Sequence, residues 1–318
     1  MVGATTAARI AESRIADEVA LVDVRADLAR AMALDIGSSL PLVGSDTLLT
    51  GGDDYGLAAG ADVVAITAGR PRQPGQSRAD LLHGNAEIIR AVCREVRRVA
   101  AGSIAIVVTN PLDEMTALAQ VELGFPAARV IGMAGLLDTA RYRHFLAERA
   151  GVATSRVHAL TLGSHGDTMV PLSSSATIDG RAARDVLGPA LDEVVQRTRD
   201  GGAEVVRLLQ TGSAYWAPSA AVLAMVRAIA LDEQVVLPVS AQLSGEFGIS
   251  GVYLGVPARI GRAGVIGIVE DGVSPDEQAA LREAAEEVRA RTSDLVPAGS
   301  AASRAAPLGE LVRALMLD

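Results

Sequence analysis

Four continuous apolar runs divide the first 135 residues of the chain, and each run ends in polar or small residues. They are Glu18–Val24, Ala61–Gly69, Ser103–Asn110 and Arg129–Ala134. Continuous runs, in contrast to alternating ones, are typical of parallel strands that are covered on both faces. Because segments of helical period separate these runs, the pattern predicts a doubly wound α/β domain.

One of the helical segments carries a clear buried stripe. Apolar residues recur there at steps of four and three, a spacing that places them on one helix face. The stripe consists of Leu82, Ala86, Ile89, Cys93, Val96 and Ala100. The only cysteine of the chain therefore belongs to the core and is not expected to act as a nucleophile.

The pattern changes after about residue 150. Residues 156–180 contain short strand-like pieces, and helical periods cover Leu187–Leu209 and the stretch "SAAVLAMVRAI". The segments "QVVLPVSAQL", "GVYLGVPARI" and "GVIGIVE" then follow one another with glycine-rich turns, which predicts an antiparallel meander. Ser274, followed by proline and by Glu277 at the third position, predicts a capping box at the start of the last long helix.

These patterns predict three parts of the chain. Residues 1–134 form a Rossmann-type doubly wound parallel sheet, and residues 135–296 form an α+β catalytic domain with antiparallel strands. In residues 297–318 we expect a flexible linker (297–307) followed by a short amphipathic helix in "LGELVRALMLD".

Composition excludes several classes of function. A net charge of −9 and 3% aromatic residues disfavour a nucleic-acid partner, which requires a basic face and stacking platforms. All 29 basic residues are arginine, so Schiff-base chemistry and phosphate loops that need lysine are excluded. A single cysteine excludes a cysteine-based zinc cage, and no cluster of ligands predicts a metal site. Since no membrane span or secretion signal is recognisable, we expect a cytoplasmic protein without a membrane partner.

Polar residues at the strand ends indicate a ligand site, because ligands of parallel sheets bind at the carboxyl ends of the strands. Such residues are Asp23, Thr67-Ala68-Gly69 and Asn110. Asp23 lies 20 residues after Gly3, the spacing at which a carboxylate meets a ribose hydroxyl in dinucleotide folds. A carboxylate there repels a 2′-phosphate, which favours NAD over NADP. Taken alone, an aspartate at a strand end is more often a turn residue.

Three further stretches carry candidate chemistry. Arg70, Arg72 and Arg78 flank Pro74-Gly75 in a basic loop, which is either solvated or able to close as a lid over the sheet edge. Asp138 and Arg141 share one helix face, where a cap and an ordinary ion pair are the alternative reading. His165 lies in a glycine-rich tight loop that would leave its ring accessible. It is either a proton carrier or a structural histidine.

Together these stretches resemble the lactate/malate dehydrogenase superfamily over nearly the whole chain. The resemblance rests on "LVDV", "AITAGRPRQPGQSR", "VVTNPLD", "VIGMAGLLDTARYR", "LGSHGDTMVP" and "GGAEVVRLLQTGSAYWAPS". It implies a nicotinamide-dependent oxidoreductase that acts on a 2-hydroxy acid. "RPRQPGQSR" and "GSAYWAPS" resemble the malate-specific members of the lactate-dehydrogenase-like branch.

The resemblance also implies roles for individual residues. His165 corresponds to the histidine that accepts the hydroxyl proton, and Asp138 to the partner that orients its ring. Arg141 corresponds to the arginine that binds the C1 carboxylate, and Arg78 to the lid arginine that polarises the reacting carbonyl. Asn110 corresponds to a contact of both substrate and cofactor. The remaining implied NAD contacts are Gly3, Asp23, Thr67, Ala68, Gly69, Asn85 and Val108.

Arg72 occupies the position that separates substrates in this family. Lactate dehydrogenases usually have glutamine there, whereas an arginine can neutralise the second carboxylate of oxaloacetate. An unpaired carboxylate in a closed, dry site costs several kcal/mol, so Arg72 implies malate and oxaloacetate as substrates. L-Lactate or another 2-hydroxy acid is the alternative. The resemblance further implies a homodimer or homotetramer.

The beginning of the chain departs from the family pattern. The family begins with a buried strand and Gly-x-Gly-x-x-Gly, of which only Gly3 in "MVGATTAAR" remains. We therefore expect the first strand to be missing and a gap to open at the centre of the sheet. Two explanations stay open: a start assigned too late in a longer protein, or a truncated chain that has lost NAD binding and survives as an inactive assembly partner. The intact catalytic set favours the first.

Overall fold

The first half of the chain forms five strands and four helices in the computed structural model, which describes residues 1–70, 78–296 and 313–317. For residues 78–79 and 313–317 it describes the backbone. The strands are β1 (Glu18–Val22), β2 (Leu48–Gly52), β3 (Val63–Ile66), β4 (Ile104–Val107) and β5 (Val130–Gly132). The helices are α1 (Val2–Ser13), α2 (Ala26–Val43), α3 (Arg78–Val99) and α4 (Leu112–Leu123).

The parallel sheet is covered on both faces, as its continuous apolar runs predict. Along β3, Val63 and Ala65 belong to one buried cluster, whereas Val64 and Ile66 belong to the cluster on the opposite face. The predicted stripe of α3 is buried in the second cluster. Cys93 is fully buried in this cluster, which confirms its place in the core. Burial raises the pKa of its thiol and keeps the thiol protonated.

The centre of this sheet contains a strand from the other end of the chain. Residues 313–317 form β14 (Arg313–Leu317), which pairs in parallel with β1 on one side and with β3 on the other. The strand order is β2-β1-β14-β3-β4-β5. The prediction of a central gap is therefore wrong: the C-terminal strand lies where the family pattern has its first strand.

The predicted amphipathic helix at the C-terminus is also wrong for residues 313–317. Leucine, arginine, alanine and methionine are good helix formers, so local preference alone favours a helix. Between β1 and β3, however, a strand meets two rows of backbone N–H and C=O groups that would otherwise stay unpaired. Pairing on both sides outweighs a preference of a few tenths of a kcal/mol per residue. The predicted linker, residues 297–307, lies outside the described residues.

The second half of the chain contains the antiparallel strands. Its helices are α5 (Gly135–Ala150), α6 (Ala183–Leu187), α7 (Ala190–Leu209), α8 (Trp216–Ala230) and α9 (Pro275–Thr292). Its strands are β6 (Val157–His158), β7 (Thr161–Gly163), β8 (Met169–Pro171), β9 (Thr177–Ile178), β10 (Arg181–Ala182), β11 (Val235–Ser244), β12 (Ser250–Gly261) and β13 (Gly264–Ile268). No helix in the described part of the chain has both the length and the apolar character needed to cross a membrane.

The predicted meander is confirmed, since β11 pairs antiparallel with β12, and β12 with β13. The sheet continues from the parallel half through a close contact of β5 with β11, where Gly132 pairs with Ser240. A side chain at Gly132 would lie 2.7 Å from the Ser240 Cβ atom, so a glycine is needed for this approach. The capping box of α9 is confirmed as well, with Ser274 and Glu277 bonded in both directions.

Candidate active site

The catalytic pair expected from the sequence is formed in the structure. Nδ1 of His165 lies 2.7 Å from Oδ2 of Asp138, although 27 residues separate them. Asp138 is on the first turn of α5, directly after β5. The side chain of Asp138 is 2% exposed and that of His165 is 16% exposed, so the ring is far less accessible than its glycine-rich loop predicts. This shielding strengthens the interaction of the ring with the carboxylate.

The histidine lies at the tip of the hairpin that joins β7 to β8. Gly163 ends β7 with a φ of +82°, and a Cβ atom there would lie 3.0 Å from the carbonyl oxygen of Thr168. Only glycine adopts such a backbone conformation at little cost. The hydroxyls of Ser164 and Thr168 are bonded across the hairpin at 2.7 Å. The turn therefore holds the histidine backbone in one place.

Arg141 lies beside the pair, one helical turn after Asp138. Its Nη1 donates to Oδ1 of Asp138 at 3.2 Å, and its side chain is 14% exposed. The two oxygens of Asp138 thus contact two different cations, the guanidinium and the imidazole when protonated. An arginine fork bound at one nitrogen keeps other N–H groups with which it can bind a carboxylate.

The surroundings of His165 stabilise its protonated form. Burial lowers the pKa of the ring, but the charge of Asp138 and its hydrogen bond raise the pKa more strongly. Arg141 lowers the pKa and the charge of Asp113 raises it, and the net result is a pKa above the usual 6.5. The ring therefore stays protonated up to a higher pH than the ring of a free histidine does.

A second buried carboxylate holds the backbone of the same histidine. Oδ2 of Asp113 accepts the main-chain N–H of His165 at 2.9 Å, and Oδ1 accepts the hydroxyl of Ser240 at 2.7 Å. Burial first and the charge of Glu114 next raise the pKa of Asp113 to about 6, against hydrogen bonds that lower it. Neither Asp113 nor Ser240 was expected at the site. The signal was present in "VVTNPLD", where Asp113 follows Asn110 by three residues.

Asp23 lies at the carboxyl end of β1, as its proposed ribose contact requires. Its carboxylate accepts the main-chain N–H of Arg25 at 2.8 Å, and the Nε atom of Arg25 lies 3.6 Å away. The Asp23 side chain is 8% exposed, whereas that of Arg25 is 72% exposed. Asp23 therefore shapes its own turn, as the alternative reading predicts, and still places a carboxylate at the sheet edge.

The segment Thr67-Ala68-Gly69 follows β3 and is packed against the end of β4. The hydroxyl of Thr109 donates to the Ala68 carbonyl at 2.7 Å. A Cβ atom on Gly69 would lie 2.7 Å from Cγ2 of Thr109, which is too close for any side chain. The glycine is therefore needed for the ends of β3 and β4 to pack this closely.

Asn85 joins two strand ends through its side chain. It accepts the N–H of Arg70 at 2.8 Å and donates to the carbonyls of Asn110 at 2.7 Å and Arg70 at 3.2 Å. The residue is 2% exposed. Its observed contacts are with the protein backbone, so it braces the sheet edge where a cofactor contact was expected.

The other predicted residues are distributed as follows. Val108 and Asn110 lie just after β4, with Val108 half-buried and Asn110 exposed. Gly3 is buried in the first turn of α1, which runs back along the sheet into β1 and so begins at the ligand edge. Arg78 is the first residue of α3, and the structure describes only its backbone. Arg72 lies outside the described residues. Among the described residues, no group of three or more histidine, cysteine or carboxylate side chains could hold a metal ion.

Comparisons with known proteins agree with this geometry. The family profile for the lactate/malate dehydrogenase NAD binding domain matches residues 1–132. The profile for the lactate/malate dehydrogenase alpha/beta C-terminal domain matches residues 136–296. A malate dehydrogenase of Thermomicrobium roseum is 47% identical over 290 residues, which cover 91% of this chain and 93% of that protein.

Solved structures show the same similarity. The malate dehydrogenase of Salinibacter ruber has a TM-score of 0.87 and 41% identity, and the match covers 92% of this chain and 94% of that one. The lactate dehydrogenase of Cryptosporidium parvum, solved with lactic acid and nicotinamide adenine dinucleotide, has a TM-score of 0.88 and 38% identity. That match covers 93% of this chain and 95% of the other. The chain therefore belongs to the lactate/malate dehydrogenase family.

Proposed function

We propose that the chain catalyses the reversible NAD-dependent oxidation of (S)-malate to oxaloacetate, with His165 as proton acceptor and donor. The observation that carries this proposal is the contact of His165 with Asp138 at 2.7 Å, with Arg141 on the same carboxylate. This arrangement joins a base, the group that orients it and a carboxylate-binding arginine. Curated relatives that are 43–47% identical over about nine-tenths of the chain are malate dehydrogenases.

In this function the contact with Asp138 selects one tautomer of His165. Because Nδ1 faces the carboxylate, the neutral ring carries its hydrogen there and presents the lone pair of Nε2 to the substrate. Nε2 accepts the proton of the C2 hydroxyl while the C2 hydride leaves the substrate. Asp138 stabilises the imidazolium that forms. In the reverse direction the same nitrogen returns the proton to the carbonyl oxygen of oxaloacetate.

Arg141 holds the substrate beside this base. Its position one turn from Asp138 places the guanidinium beside the imidazole, since the rigid helix α5 carries both Arg141 and the carboxylate that His165 contacts. We assign it the C1 carboxylate, which it can bind through two parallel N–H groups. Arg78 at the start of α3 is assigned to the reacting carbonyl.

The edge of the parallel sheet fits a nicotinamide dinucleotide. Asp23 supplies a carboxylate for the ribose hydroxyls, and the segment Thr67-Ala68-Gly69 lies at the same edge of the sheet, after β3. Gly3 at the start of α1 is assigned to the pyrophosphate, where backbone N–H groups favour an anion. Thr67, Ala68, Val108 and Asn110 complete the assigned contacts, and Asn85 supports them by holding the backbone of Arg70 and Asn110. When bound, NAD supplies the acceptor of the C2 hydride.

The second carboxylate of the substrate distinguishes malate from lactate. We assign it to Arg72, because a dry site without a cation at that position would reject a diacid. The structural similarity extends to lactate dehydrogenases, so lactate is the second candidate substrate. We also propose the division into residues 1–134 and 135–296, a cytoplasmic location and a homodimer or homotetramer.

The experiment that tests the proposal is the oxidation of NADH with oxaloacetate and with pyruvate. We expect a higher kcat/KM for oxaloacetate, and Arg72→Gln should shift the preference toward pyruvate by about tenfold or more, a change of ~1.4 kcal/mol. An unchanged preference would refute the assignment of Arg72. His165→Asn should abolish both reactions. If the folded chain fails to bind NADH in a calorimetric titration, it is the inactive partner instead.

A further inference from the structure

We infer that Asp113 is the residue that positions the catalytic histidine, by holding its backbone while Asp138 holds its ring. The inference rests on the proposed role of His165 and extends it to a buried carboxylate whose two oxygens are both bonded to the protein. Two carboxylates from different parts of the chain then determine where Nε2 of His165 points.

Both oxygens of Asp113 are used for this purpose. One accepts the N–H of His165 at 2.9 Å, and the other accepts the hydroxyl of Ser240 on β11 at 2.7 Å. The residue is 2% exposed. A buried carboxylate with two matched donors is held in one geometry, since movement of either partner would leave a polar group unpaired.

The position of Asp113 on its helix connects the two parts of the active site. It lies in the first turn of α4, three residues after Asn110, which is assigned to the substrate and cofactor. The hairpin that carries His165 begins more than forty residues later. The bond from His165 to Asp113 therefore fixes the proton acceptor relative to the end of β4.

A second set of contacts supports the same hairpin from α9. Glu287 accepts from the hydroxyl of Thr168 at 3.4 Å and pairs with Arg291 at 3.3 Å. Arg291 also forms an ion pair with Glu114, which adjoins Asp113 on α4. Glu114 is itself buried. This network pairs the buried charge of Glu114 with the guanidinium of Arg291.

The negative charge of Asp113 also affects the basicity of His165. The ring of His165 is faced by Asp138 and Arg141 from α5 and by Asp113 from α4. Asp113 is in turn faced by Glu114, Ser240 and His165. A negative charge on Asp113 favours the imidazolium, so its removal should make the histidine less basic as well as less firmly held.

The test separates geometry from charge with two substitutions. Asp113→Ala removes both hydrogen bonds, and we expect kcat for malate oxidation to fall about 10²-fold because the base is displaced. The Kd for NADH should stay the same. Asp113→Asn has the same shape; its carbonyl can accept the His165 N–H, and its amide can donate to Ser240. We expect this variant to retain most of kcat. In its profile of malate oxidation rate against pH, the acid limb should lie at lower pH than in the parent enzyme.

Two further variants make the result unambiguous. Glu277→Ala removes another buried, hydrogen-bonded carboxylate, which caps α9 away from the histidine. It should lower the melting temperature and leave kcat unchanged. His165→Asn tests the proposed function itself: if that variant stays active, the role of His165 fails, whatever Asp113 does.

With His165→Asn inactive, the outcome depends on Asp113 alone. An unchanged kcat in Asp113→Ala would overturn the inference. If Asp113→Ala does not fold, Ser240→Ala decides, because it removes one of the two hydrogen bonds that hold the Asp113 carboxylate: a lowered kcat supports the inference, and an unchanged kcat contradicts it.

Discussion

Oδ2 of Asp138 lies 2.7 Å from Nδ1 of His165, and this contact raises the pKa of the histidine against the effect of burial. Malate oxidation requires the neutral ring, so its rate should increase as the pH rises through the raised pKa. Oxaloacetate reduction requires the protonated ring and should lose rate over the same range.

Asp138→Asn should therefore move both transitions to lower pH, because it removes the charge that favours the imidazolium. It should also lower kcat by roughly 10²-fold or more, since the wrong tautomer is no longer excluded. Profiles of kcat/KM against pH in both directions measure these effects. Transitions that stay at the wild-type pH would show that Asp138 does not control the titration.

We expect a substitution of Asp23 to change the preference between NADH and NADPH, because Arg25 lies beside it. Asp23→Ser removes the carboxylate that repels a 2′-phosphate, while the exposed guanidinium of Arg25 remains nearby. An arginine in this region can accommodate the 2′-phosphate of NADP. We expect the NADPH/NADH ratio of kcat/KM to rise about tenfold, or ~1.4 kcal/mol.

A double substitution provides the control for this change. Asp23→Ser with Arg25→Ala should lose most of the gain if the guanidinium binds the phosphate. Steady-state rates with each reduced cofactor measure the ratio. A single variant that remains as selective for NADH as the parent would exclude Asp23 from cofactor choice.

The close approach of Gly69 to Thr109 predicts a steric effect that a second mutation relieves. Gly69→Ala would place a Cβ atom 2.7 Å from Cγ2 of Thr109, so the strand ends must shift. We expect a loss of about 1–3 kcal/mol in the free energy of unfolding and a higher KM for NAD. Thr109→Ser keeps the hydroxyl that bonds Ala68 but removes Cγ2, and should restore both quantities in the double variant. Additive losses in a double-mutant cycle would disprove the contact.

Because β14 lies between β1 and β3, we expect the stability of the parallel sheet to depend on residues 313–317. Leu315→Pro removes a ladder N–H from the middle of β14 and should cost roughly 1–3 kcal/mol in the free energy of unfolding. Leu315→Val keeps the N–H and is the matched control. Hydrogen exchange of the amides in Glu18–Val22 and Val63–Ile66 measures the effect. Unchanged protection of both strands would show that β14 does not contribute to their pairing.

The order of the helices and strands can be predicted from the sequence, because buried apolar residues recur with a spacing that differs between helices and strands. The apolar runs at Val63–Ile66 and Ile104–Val107 predict strands, and the spacing of the α3 stripe predicts a helix, through local geometry alone. The strand β2 was missed because only Gly52 of its five residues is buried, and a half-exposed edge strand has no continuous apolar run. Strand-end residues such as Asp23 were found for the same local reason.

The contacts of the site could not be predicted in this way. Asp113 and His165 are 52 residues apart, and Asp113 and Ser240 are 127 residues apart. Whether such groups meet depends on how separate elements pack, which no spacing along the chain encodes. The burial of the His165 ring was misjudged for that reason: glycine-rich neighbours indicate a tight turn, but the surrounding elements decide what covers it.

The sequence by itself determined that this chain contains a doubly wound parallel sheet and a later antiparallel meander, since these depend on periodicity. The residues of an NAD-dependent dehydrogenase were recognised from the resemblance of its motifs to a known family. Only the tertiary structure decided that residues 313–317 form the central strand and that Asp113 holds His165. Both outcomes depend on backbone or side-chain hydrogen bonds between distant segments. Their free energy exceeds the local preference of the residues involved, because an unpaired polar group in the interior is costly.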